Sequence, residues 1–512
     1  MKASALFTED ESLRIEVQSL KAKREEDERR IALYEEENAR LHEIIRKMKR
    51  ATFGPRTERW ETKEQILLFN EAEANASHKN SAPADGETQV SAHTRKRGKR
   101  KPLPENLPRE VVVVDLPESE KIASDGSPLR LMGREVSEKL VYEPAVMKVI
   151  EYHRLKYAGP EGTDTVKIAP VVPSIVPKGI ASSSLLSHIV TSKYADGLPL
   201  YRQEEQFERI GVDIPRSTMG RWIIAASERC QGIWNALEER LMAASYVSCD
   251  ETPVQVLKED GRAAESKSWM WVRCTPGAEK RIVLFDYDPS RSGEVAKKLF
   301  AGYRGYFQVD GYAAYNALEE NPELVRIGCN MHARRKFFDA AEGSTKGQSL
   351  ASEGLAYFRK LYEIEKRAKE ISKTSRHALR EKEAAPIWDE MKVWAEKHRD
   401  SVPPKSKIGG AFRYFLSEYE YLKGYLRDGR IEMDNGYAER AVKYFAIGRK
   451  NWLFSDSVDG AKASSLFYSF LVTAKINGVD PYQALKRIFD EVPYAETADD
   501  YERLADILLG IQ

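Results

Sequence analysis

Hydrophobic residues recur with a seven-residue period along residues 10–50, separated by charged and polar positions. One seam position holds Leu13, Leu20, Asp27, Tyr34, Leu41 and Met48, and the other holds Val17, Arg24, Ile31, Asn38 and Ile45. This pattern predicts a coiled-coil helix within residues 1–52, weakened by the charges in its seam and with an Asn suited to fixing its register. Self-association is the function it favours; a lone amphipathic helix packed on its own chain is the alternative.

The periodicity ends in residues 53–108, where Ser, Ala, Gly and Pro replace large apolar side chains and predict a linker. A cationic run lies near its end, formed by Arg95, Lys96, Arg97, Lys99, Arg100 and Lys101. Such a run can hold phosphates by neutralising their charge and releasing counterions. The alternative is a solvated linker that contacts no DNA.

Strand-like sequence follows in EVVVVDL and KLVYEPAVMKVIEYHRLKYA, which predicts a small β-rich unit over residues 109–176. Helical periodicity then covers residues 177–240. A helix that ends before Gly211, a short turn and a second helix capped by Ser217 predict a helix-turn-helix. The second helix would present four residues to DNA, namely Arg216, Ser217, Thr218 and Arg221. Many helix pairs of this shape contact no DNA.

Strands and helices alternate in a definite order between residues 241 and 344. Three strands, a helix, a strand, a helix and a strand is the order of a ribonuclease H-like α/β sheet, in which the first and fourth strands lie side by side. The first strand, SYVSCD, ends in Asp250, and the fourth, GYFQVD, ends in Asp310. We therefore expect these two carboxylates, 60 residues apart, to converge at one end of the sheet.

Two carboxylates hold one divalent cation weakly, and a second cation requires another acid. The segment DNGYAERAVKYFAIGRKNWLF, residues 434–454, offers Glu439 on a predicted helix, four residues after Asn435. Phosphodiester chemistry typically uses two cations about 3.5–4 Å apart, and oxygen ligands favour Mg²⁺ or Mn²⁺. Phosphate-binding and base-stacking side chains surround this acid: Arg440, Arg449, Lys450 and Trp452. Each acid alone is more often an exposed charge, but the three in this order favour a metal site.

Residues 345–428 are mostly helical in pattern, which predicts a helical insertion between the two parts of the catalytic domain, 241–344 and 429–470. A C-terminal helical segment, 471–512, follows. Cys329 and His332 form a lone CxxH motif. Because there is no second ligand pair nearby in the sequence, zinc is not favoured there. We expect these two residues to pack and orient the catalytic helices.

Composition narrows the picture only slightly. The 512 residues carry 81 basic and 80 acidic side chains, so net charge predicts neither a nucleic-acid nor a membrane partner. The four cysteines are scattered without a CxxC pair, which fits a reducing cytosol. The N-terminus does not resemble a secretory signal, and there is no apolar run of about 18 residues, so we expect no membrane partner.

These motifs together resemble the transposases of the insertion-sequence-66 (IS66) family, bacterial enzymes with a DDE triad. The resemblance rests on CDET at Asp250, VDGYAAYN at Asp310, GCNMHARRKF at Cys329 and His332, and NGYAERAVKYFAIGRKNWLF at Glu439. It implies a catalytic triad of Asp250, Asp310 and Glu439, binding of the element's terminal inverted repeats and of target DNA, and small accessory proteins of the same element.

The sequence departs from this family at one point. The family commonly has a CxxC pair at either end of the small β-rich unit, forming a zinc site. The matching positions here hold Ile122, Asp125, Gly159 and Gly162, which cannot replace a thiolate set. We therefore predict no zinc in residues 110–170.

The sequence as a whole predicts a multidomain α+β protein, cytoplasmic and nucleoid-associated, that self-associates through its coiled coil. A DNA transposase that uses two Mg²⁺ or Mn²⁺ ions for strand cleavage and strand transfer is the first hypothesis. The second is a catalytically inactive end-binding protein or repressor derived from a transposase, which the missing cysteines favour. A domesticated nuclease that cuts without joining is the third.

Overall fold

The computed structural model describes residues 147–158, 166–342 and 349–511. The predicted coiled coil, the linker with its cationic run from Arg95 to Lys101, and positions 122, 125, 159 and 162 lie outside the described residues. Of the predicted β-rich unit, two short antiparallel strands are described, β1 (Lys156–Ala158) and β2 (Val166–Ile168).

Four helices come next along the chain. They are α1 (Ser183–Tyr194), α2 (Leu200–Arg209), α3 (Arg216–Arg229) and α4 (Gln231–Met242). Ser182 accepts a hydrogen bond from the backbone N–H of Leu185 and so begins α1. The helix pair α2 and α3, joined by a short turn at Gly211, agrees with the expected helix-turn-helix outline.

The start of α3 differs from the prediction. Ser217 was expected to cap this helix, but the helix begins at Arg216 and its N-cap is Pro215, with no side-chain cap hydrogen bond. The backbone N–H of Arg216 donates instead to Glu204 Oε1 of α2 at 2.9 Å, which satisfies one of the free donors at the start of the helix without a serine cap. Ser217 lies instead in the exposed first turn of α3.

A mixed sheet forms the centre of the described structure. Five of its strands are β3 (Tyr246–Lys258), β4 (Lys267–Cys274), β5 (Val283–Asp288), β6 (Gly305–Val309) and β7 (Leu324–Gly328), in the spatial order β5-β4-β3-β6-β7. A sixth, short strand, Ser455–Ser457, pairs in parallel with the far end of β3. The pairs β3–β4 and β4–β5 are antiparallel, and the pairs β3–β6 and β6–β7 are parallel. The expected neighbourhood of the first and fourth strands is therefore confirmed. Helix α5 (Gly293–Leu299) and a 3-10 helix (Ala313–Leu318) flank β6 in the sequence.

The first strand is longer than expected. The prediction that it ends at Asp250 was wrong, because its antiparallel pairing with β4 continues as far as Gln255. On the other edge, the parallel pairing with β6 stops at the pair Ser248 and Gln308. Asp250 thus lies inside β3, at the level where its parallel neighbour ends.

The chain after β7 is mostly helical. Helix α6 (Asn330–Ala341) is followed by α7 (Leu350–Ala368), α8 (Lys373–Leu379), a π-helical turn (Arg380–Ala384), α9 (Ala385–His398), a 3-10 turn (Arg399–Ser401), α10 (Lys407–Ser417), α11 (Tyr419–Lys423) and a second 3-10 turn (Gly424–Arg427). The last elements are α12 (Gly436–Trp452), β8 (Ser455–Ser457), α13 (Val458–Ile476), α14 (Pro481–Glu491), a 3-10 turn (Val492–Tyr494) and α15 (Ala498–Leu509). Among the described helices, none is both long and apolar enough to cross a membrane.

Two hydrophobic cores organise these elements. The larger joins helices α1–α4, most of the sheet and helices α12–α15, with α13 buried along nearly its whole length. The smaller joins the inner faces of α6, α7, α9, α10 and α11, around the buried rings of Phe337, Trp388 and Phe415. The helices of the predicted insertion therefore share the smaller core with Tyr246 of β3, Ile327 of β7 and Phe337 of α6. The predicted helix-turn-helix shares the larger core with the sheet.

A buried ion-pair network joins β4 and the edge strand β5 to the neighbouring helices. Arg273, on β4, is fully buried, and its Nε and Nη2 atoms each lie 3.0 Å from the carboxylate of Asp286 on β5. Nη2 also donates to Glu238 of α4 at 2.6 Å, and Nη1 to the carbonyl of Leu299 at 2.9 Å. One guanidinium thus ties two strands to the helices on the sheet's face.

We expect Arg273→Met to lower the free energy of unfolding by about 3–5 kcal/mol, because it leaves two acids beside the core without their cation. Chemical denaturation followed by circular dichroism would measure the loss. The matched control is Lys258→Met, which removes an exposed cation that pairs with Asp456 at 2.8 Å and should cost about 1 kcal/mol or less. Equal losses in both variants would contradict the role assigned to Arg273.

Candidate active site

The two sheet acids lie at matching positions of neighbouring strands. The parallel register pairs Ser248 with Gln308, and Asp250 and Asp310 each follow two residues later. The backbone N–H of Glu251 donates to Asp250 Oδ1 at 2.8 Å, and the N–H of Tyr312 donates to Asp310 Oδ1 at 2.9 Å. Each carboxylate is therefore held by its own chain at the end of the parallel pairing.

Helix α12 carries the third acid, Glu439, and its N-terminus is bonded to β3 beside Asp250. Asn435 is its N-cap residue, and its side-chain amide donates to the carbonyl of Cys249 at 2.7 Å, one residue before Asp250. The backbone N–H of Asn435 lies 3.3 Å from Cys329 Sγ. Glu439 follows in the first turn, with its N–H bonded to the Asn435 carbonyl at 3.1 Å. Asn435 thus ties the first turn of α12, and Glu439 with it, to strand β3.

Burial and neighbouring negative charges raise the pKa values of two acids at this site. Burial raises the pKa of Asp250 well above its usual range, and the negative charges of Glu251, Glu439 and Asp310 raise it further. Burial, with the charge of Glu439 among smaller causes, also raises the pKa of Asp434 to about 7. Such repulsion among carboxylates is costly for folding and is relieved by a bound cation or proton.

Sequence reasoning missed the part played by Glu251. Its carboxylate is buried, accepts a hydrogen bond from the Tyr315 hydroxyl and lies 2.6 Å from Arg291 Nε. The Arg291 guanidinium also lies 3.7 Å from the ring centroid of Tyr312, two residues after Asp310. Glu251 therefore links β3 to the loop that carries Asp310. The second acid of CDET was the available signal, but its partners lie 40 and 64 residues away.

The CxxH residues lie against the third acid. Cys329 is the N-cap residue of α6 and is fully buried, and its Sγ lies 3.7 Å from Glu439 Oε1. His332 Nδ1 lies 3.7 Å from the same oxygen. Their expected contribution to orienting the catalytic helices agrees with this placement and stays a prediction. Proximity to Glu439 was not foreseen, because 110 residues separate Cys329 from it.

The predicted phosphate-binding residues of α12 fall into two groups. Arg449 Nη1 donates to the Thr252 hydroxyl at 3.1 Å, on the same strand as Asp250. Arg440 and Lys450 are exposed. The Trp452 ring is half-buried and packs edge-on against Phe445, with a centroid separation of 5.3 Å. A base could therefore reach only part of this indole, and its predicted stacking role stays a prediction.

The predicted DNA-contacting residues lie on α3, which is separate from the strands and the helix that position the three acids. Met219, Trp222 and Ile223 turn into the larger core, which leaves Arg216, Ser217 and Arg221 exposed on the other side of the helix. Thr218 is half-buried, and its hydroxyl accepts a hydrogen bond from Arg221 Nη2 at 3.2 Å. Helix α3 packs on α13. Within the described part of the chain, no hydrogen bond or ion pair joins these four residues to the three acids.

Residues of the helical segment between the second and third acids contact the chain on both sides of the site. The ring of Tyr414, on α10, lies against Gly311, where a Cβ atom would come within 2.5 Å of it. Buried Arg380 donates to the carbonyls of Tyr425, Asp428 and Ile431, and the Tyr362 hydroxyl donates to Asp434 at 2.8 Å. These contacts order the segment that leads into α12.

The acids fit a hard divalent cation. Asp250, Asp310 and Glu439 offer carboxylate oxygens, the ligands that Mg²⁺ and Mn²⁺ prefer. Burial is the main cause of the raised pKa of Asp250, and the charges of Glu439 and Asp310 are among its smaller causes. A cation would offset the repulsion that the fold maintains here.

Two family models match the sequence. One, described as Transposase IS66 family, matches residues 178–463, more than half of the chain and all three acids. The chain belongs to the IS66 transposase family. The other, described as Transposase C of IS166 homeodomain, matches residues 40–112, which include the cationic run of the predicted linker.

Relatives of this IS66 protein occur in Sinorhizobium fredii (strain NBRC 101917 / NGR234). An uncharacterized protein, y4qI, is 31% identical over 490 residues, which are 91% of this chain and 88% of the relative. Another, y4jD, is 30% identical over 406 residues, 77% of this chain and 79% of the relative. Because both are uncharacterized, they support the family and add no activity. Family membership supports a transposase function, with DNA as partner and general use of divalent metal.

We expect Asp250→Asn to raise the melting temperature of the metal-free protein by a few degrees at neutral pH. The folded-state pKa of Asp250 is raised, so its ionised form opposes folding. The gain should be absent below the unfolded pKa, near 3.8, and should grow as the pH rises towards the folded value. Calorimetry across pH would measure it.

The matched control for this prediction is Asp456→Asn, because Asp456 is exposed and paired with Lys258. It should change the melting temperature little at any pH. A loss of stability in Asp250→Asn at neutral pH would contradict the repulsion described for the site.

Proposed function

We propose that this protein is a DDE transposase that cleaves the ends of its element and joins them to target DNA. The observation that supports the proposal is the placement of Asp250 and Asp310 two residues after the paired Ser248 and Gln308, with Asn435, one helical turn before Glu439, bonded to the Cys249 carbonyl. The strand order β5-β4-β3-β6-β7 supports a ribonuclease H-like assignment for this domain. The family match over all three acids supports the same reaction class.

The chain's own residues have distinct tasks in this proposal. Asp250 and Asp310 would hold divalent cations from the two strands, and Glu439 would complete the second site from α12. Bound there, the cations would supply Lewis-acid stabilisation for an in-line displacement at phosphorus. Arg449, tied to Thr252 beside Asp250, and exposed Arg440 and Lys450 would hold the neighbouring phosphates.

DNA ends would be recognised away from the acids. The exposed row of Arg216, Ser217 and Arg221 on α3 suits contacts with phosphates and base edges. The cationic run from Arg95 to Lys101 would add contacts that do not depend on sequence. Self-association through the predicted coiled coil would pair two ends, and accessory proteins of the element would join this complex.

The second candidate is an end-binding protein without catalysis. Residues Ile122, Asp125, Gly159 and Gly162, where the family commonly has cysteines, favour it. The intact acids and their supporting contacts favour the enzyme. A nuclease that cuts without joining differs from both in its products, so product analysis separates the three functions.

We expect Asp310→Ala to lower metal-dependent cleavage and joining by at least about a thousandfold, the scale of losing one member of a cooperating catalytic set. The assay uses labelled duplexes from the element's native ends with Mg²⁺ or Mn²⁺. The control is Asp490→Ala on α14, an exposed acid paired with Lys486. Full activity in Asp310→Ala would refute the mechanism, whereas end binding by wild type without any product would favour the second candidate.

We expect Arg216→Ala combined with Arg221→Ala to weaken end binding and to flatten its salt dependence. Each lost phosphate contact should reduce the slope of log Kobs against log salt by roughly 0.9. Fluorescence anisotropy at several salt concentrations would measure the slope. The control removes Lys486 and Arg487, two exposed cations on α14. An unchanged slope in the α3 variant would remove this helix from the DNA interface.

A further inference from the structure

Three donor atoms of different chemistry meet beside the acid triad. Cys329 Sγ and His332 Nδ1 each lie 3.7 Å from Glu439 Oε1, and one donor atom from each of the three residues lies within 4.8 Å of the others. The Cys and His come from the start of α6 and the Glu from the first turn of α12. Sulfur, nitrogen and carboxylate oxygen together form a ligand set unlike that of Asp250 and Asp310.

The spacing suits a small tetrahedral ion. Zinc binds sulfur at about 2.3 Å and nitrogen or oxygen at about 2.0–2.2 Å. Tetrahedral angles then separate the donor atoms by roughly 3.3–3.6 Å. The two measured separations of 3.7 Å are close to this range. The separation of 3.7 Å between Cys329 Sγ and Glu439 Oε1 is that of a thiol hydrogen bond. The separation of 3.7 Å between His332 Nδ1 and the same oxygen is too long for a direct hydrogen bond, so this nitrogen keeps its lone pair for an ion.

Two backbone N–H groups point at the Cys329 sulfur. The backbone N–H of Asn435 lies 3.3 Å from Cys329 Sγ, and the N–H of His332 donates to the same sulfur. Burial and the charges of Asp434 and Glu439 raise the pKa of the Cys329 thiol well above its usual range, and these N–H donors act in the opposite direction by stabilising negative charge on the sulfur. His332 Nδ1 is buried and has no hydrogen-bond partner. A buried nitrogen of this kind costs free energy unless something binds it.

We propose that Cys329, His332 and Glu439 bind one Zn²⁺ ion, and that this ion withdraws Glu439 from the catalytic carboxylates. A thiolate and an imidazole select zinc over Mg²⁺. The side chains of His332 and Glu439 are 30% and 20% exposed, which leaves a path for the ion and a fourth position for water. The expectation of no zinc at this motif rested on the missing second ligand pair, and the fold supplies Glu439 in its place.

Zinc would then act as an inhibitor of the proposed reaction. Glu439 cannot serve the catalytic cations while it is bound beside Cys329. Binding itself does not rest on the proposed function, but inhibition does, and the two are therefore tested separately.

The first experiment uses the full-length, metal-stripped protein titrated with Co²⁺, a spectroscopic substitute for Zn²⁺. We expect one sulfur-bound cobalt per chain, with a sulfur-to-cobalt charge-transfer absorption that added Zn²⁺ abolishes. The absorption should be lost in Cys329→Ser and retained in Cys230→Ser, which makes the same change at another buried cysteine. His332→Ala, at a partly exposed position, should weaken cobalt binding by more than the roughly 10–100-fold that outer-shell residues cost.

Two results would overturn the site: no charge-transfer absorption in the wild type, or an undiminished absorption in Cys329→Ser. His332→Ala keeps the test decisive if Cys329→Ser does not fold, because unchanged cobalt affinity there would also refute the site. None of these measurements needs DNA or activity, so they stand even if the proposed function fails.

The second experiment adds stoichiometric Zn²⁺ to the Mg²⁺-dependent cleavage assay. We expect the wild-type rate to fall at least about tenfold while end binding is unchanged, and a chelator to restore the rate. Cobalt binding at Cys329 without inhibition by zinc would refute the withdrawal of Glu439.

Discussion

The side chain of Asn435 holds the candidate site together. It donates a 2.7 Å hydrogen bond to the carbonyl of Cys249 from a position that is 1% exposed, and its backbone N–H contacts Cys329 Sγ. Three segments far apart in the sequence, β3, the β7–α6 junction and α12, therefore meet at one residue. Since Glu439 lies one helical turn further on, the separation of the third acid from Asp250 depends on this contact.

The burial of several neighbouring carboxylates opposes folding, because it disfavours their ionised forms. Burial raises the pKa of Asp250 and of Glu251, and it brings that of Asp434 to about 7. Arg291 forms an ion pair with Glu251 and so offsets part of this negative charge. Arg273, which is more deeply buried, forms ion pairs with Asp286 and Glu238. Neither of these two cations forms an ion pair with Asp250, Asp310 or Glu439 in the described residues. In the function that we propose, these three carboxylates hold the divalent cations of phosphoryl transfer.

The helical insertion stabilises the site as well as separating its parts in the sequence. Its core packs around Trp388, and its polar residues hold the backbone from residue 425 to residue 434 through Arg380 and Tyr362. Tyr414 covers Gly311 on the other side of the site. Both the strand loop that follows Asp310 and the segment that precedes Glu439 are therefore ordered by the same inserted helices.

The sequence alone determined the order of the elements, the strands that carry Asp250 and Asp310, and the family. Alternating apolar residues and short quoted motifs contain that information, because they depend on neighbours in the chain. The local pattern gave the wrong boundary where a partner distant in sequence decided it. Strand β3 runs past Asp250 because β4 continues to bond it, and α3 starts at Arg216, whose backbone N–H is bound by Glu204 of α2. Only the tertiary structure decided that Glu251 binds Arg291 and Tyr315, and that Glu439 lies against Cys329 and His332. Those contacts join residues 40 to 110 positions apart, and packing rather than sequence spacing brings such residues within reach of one another.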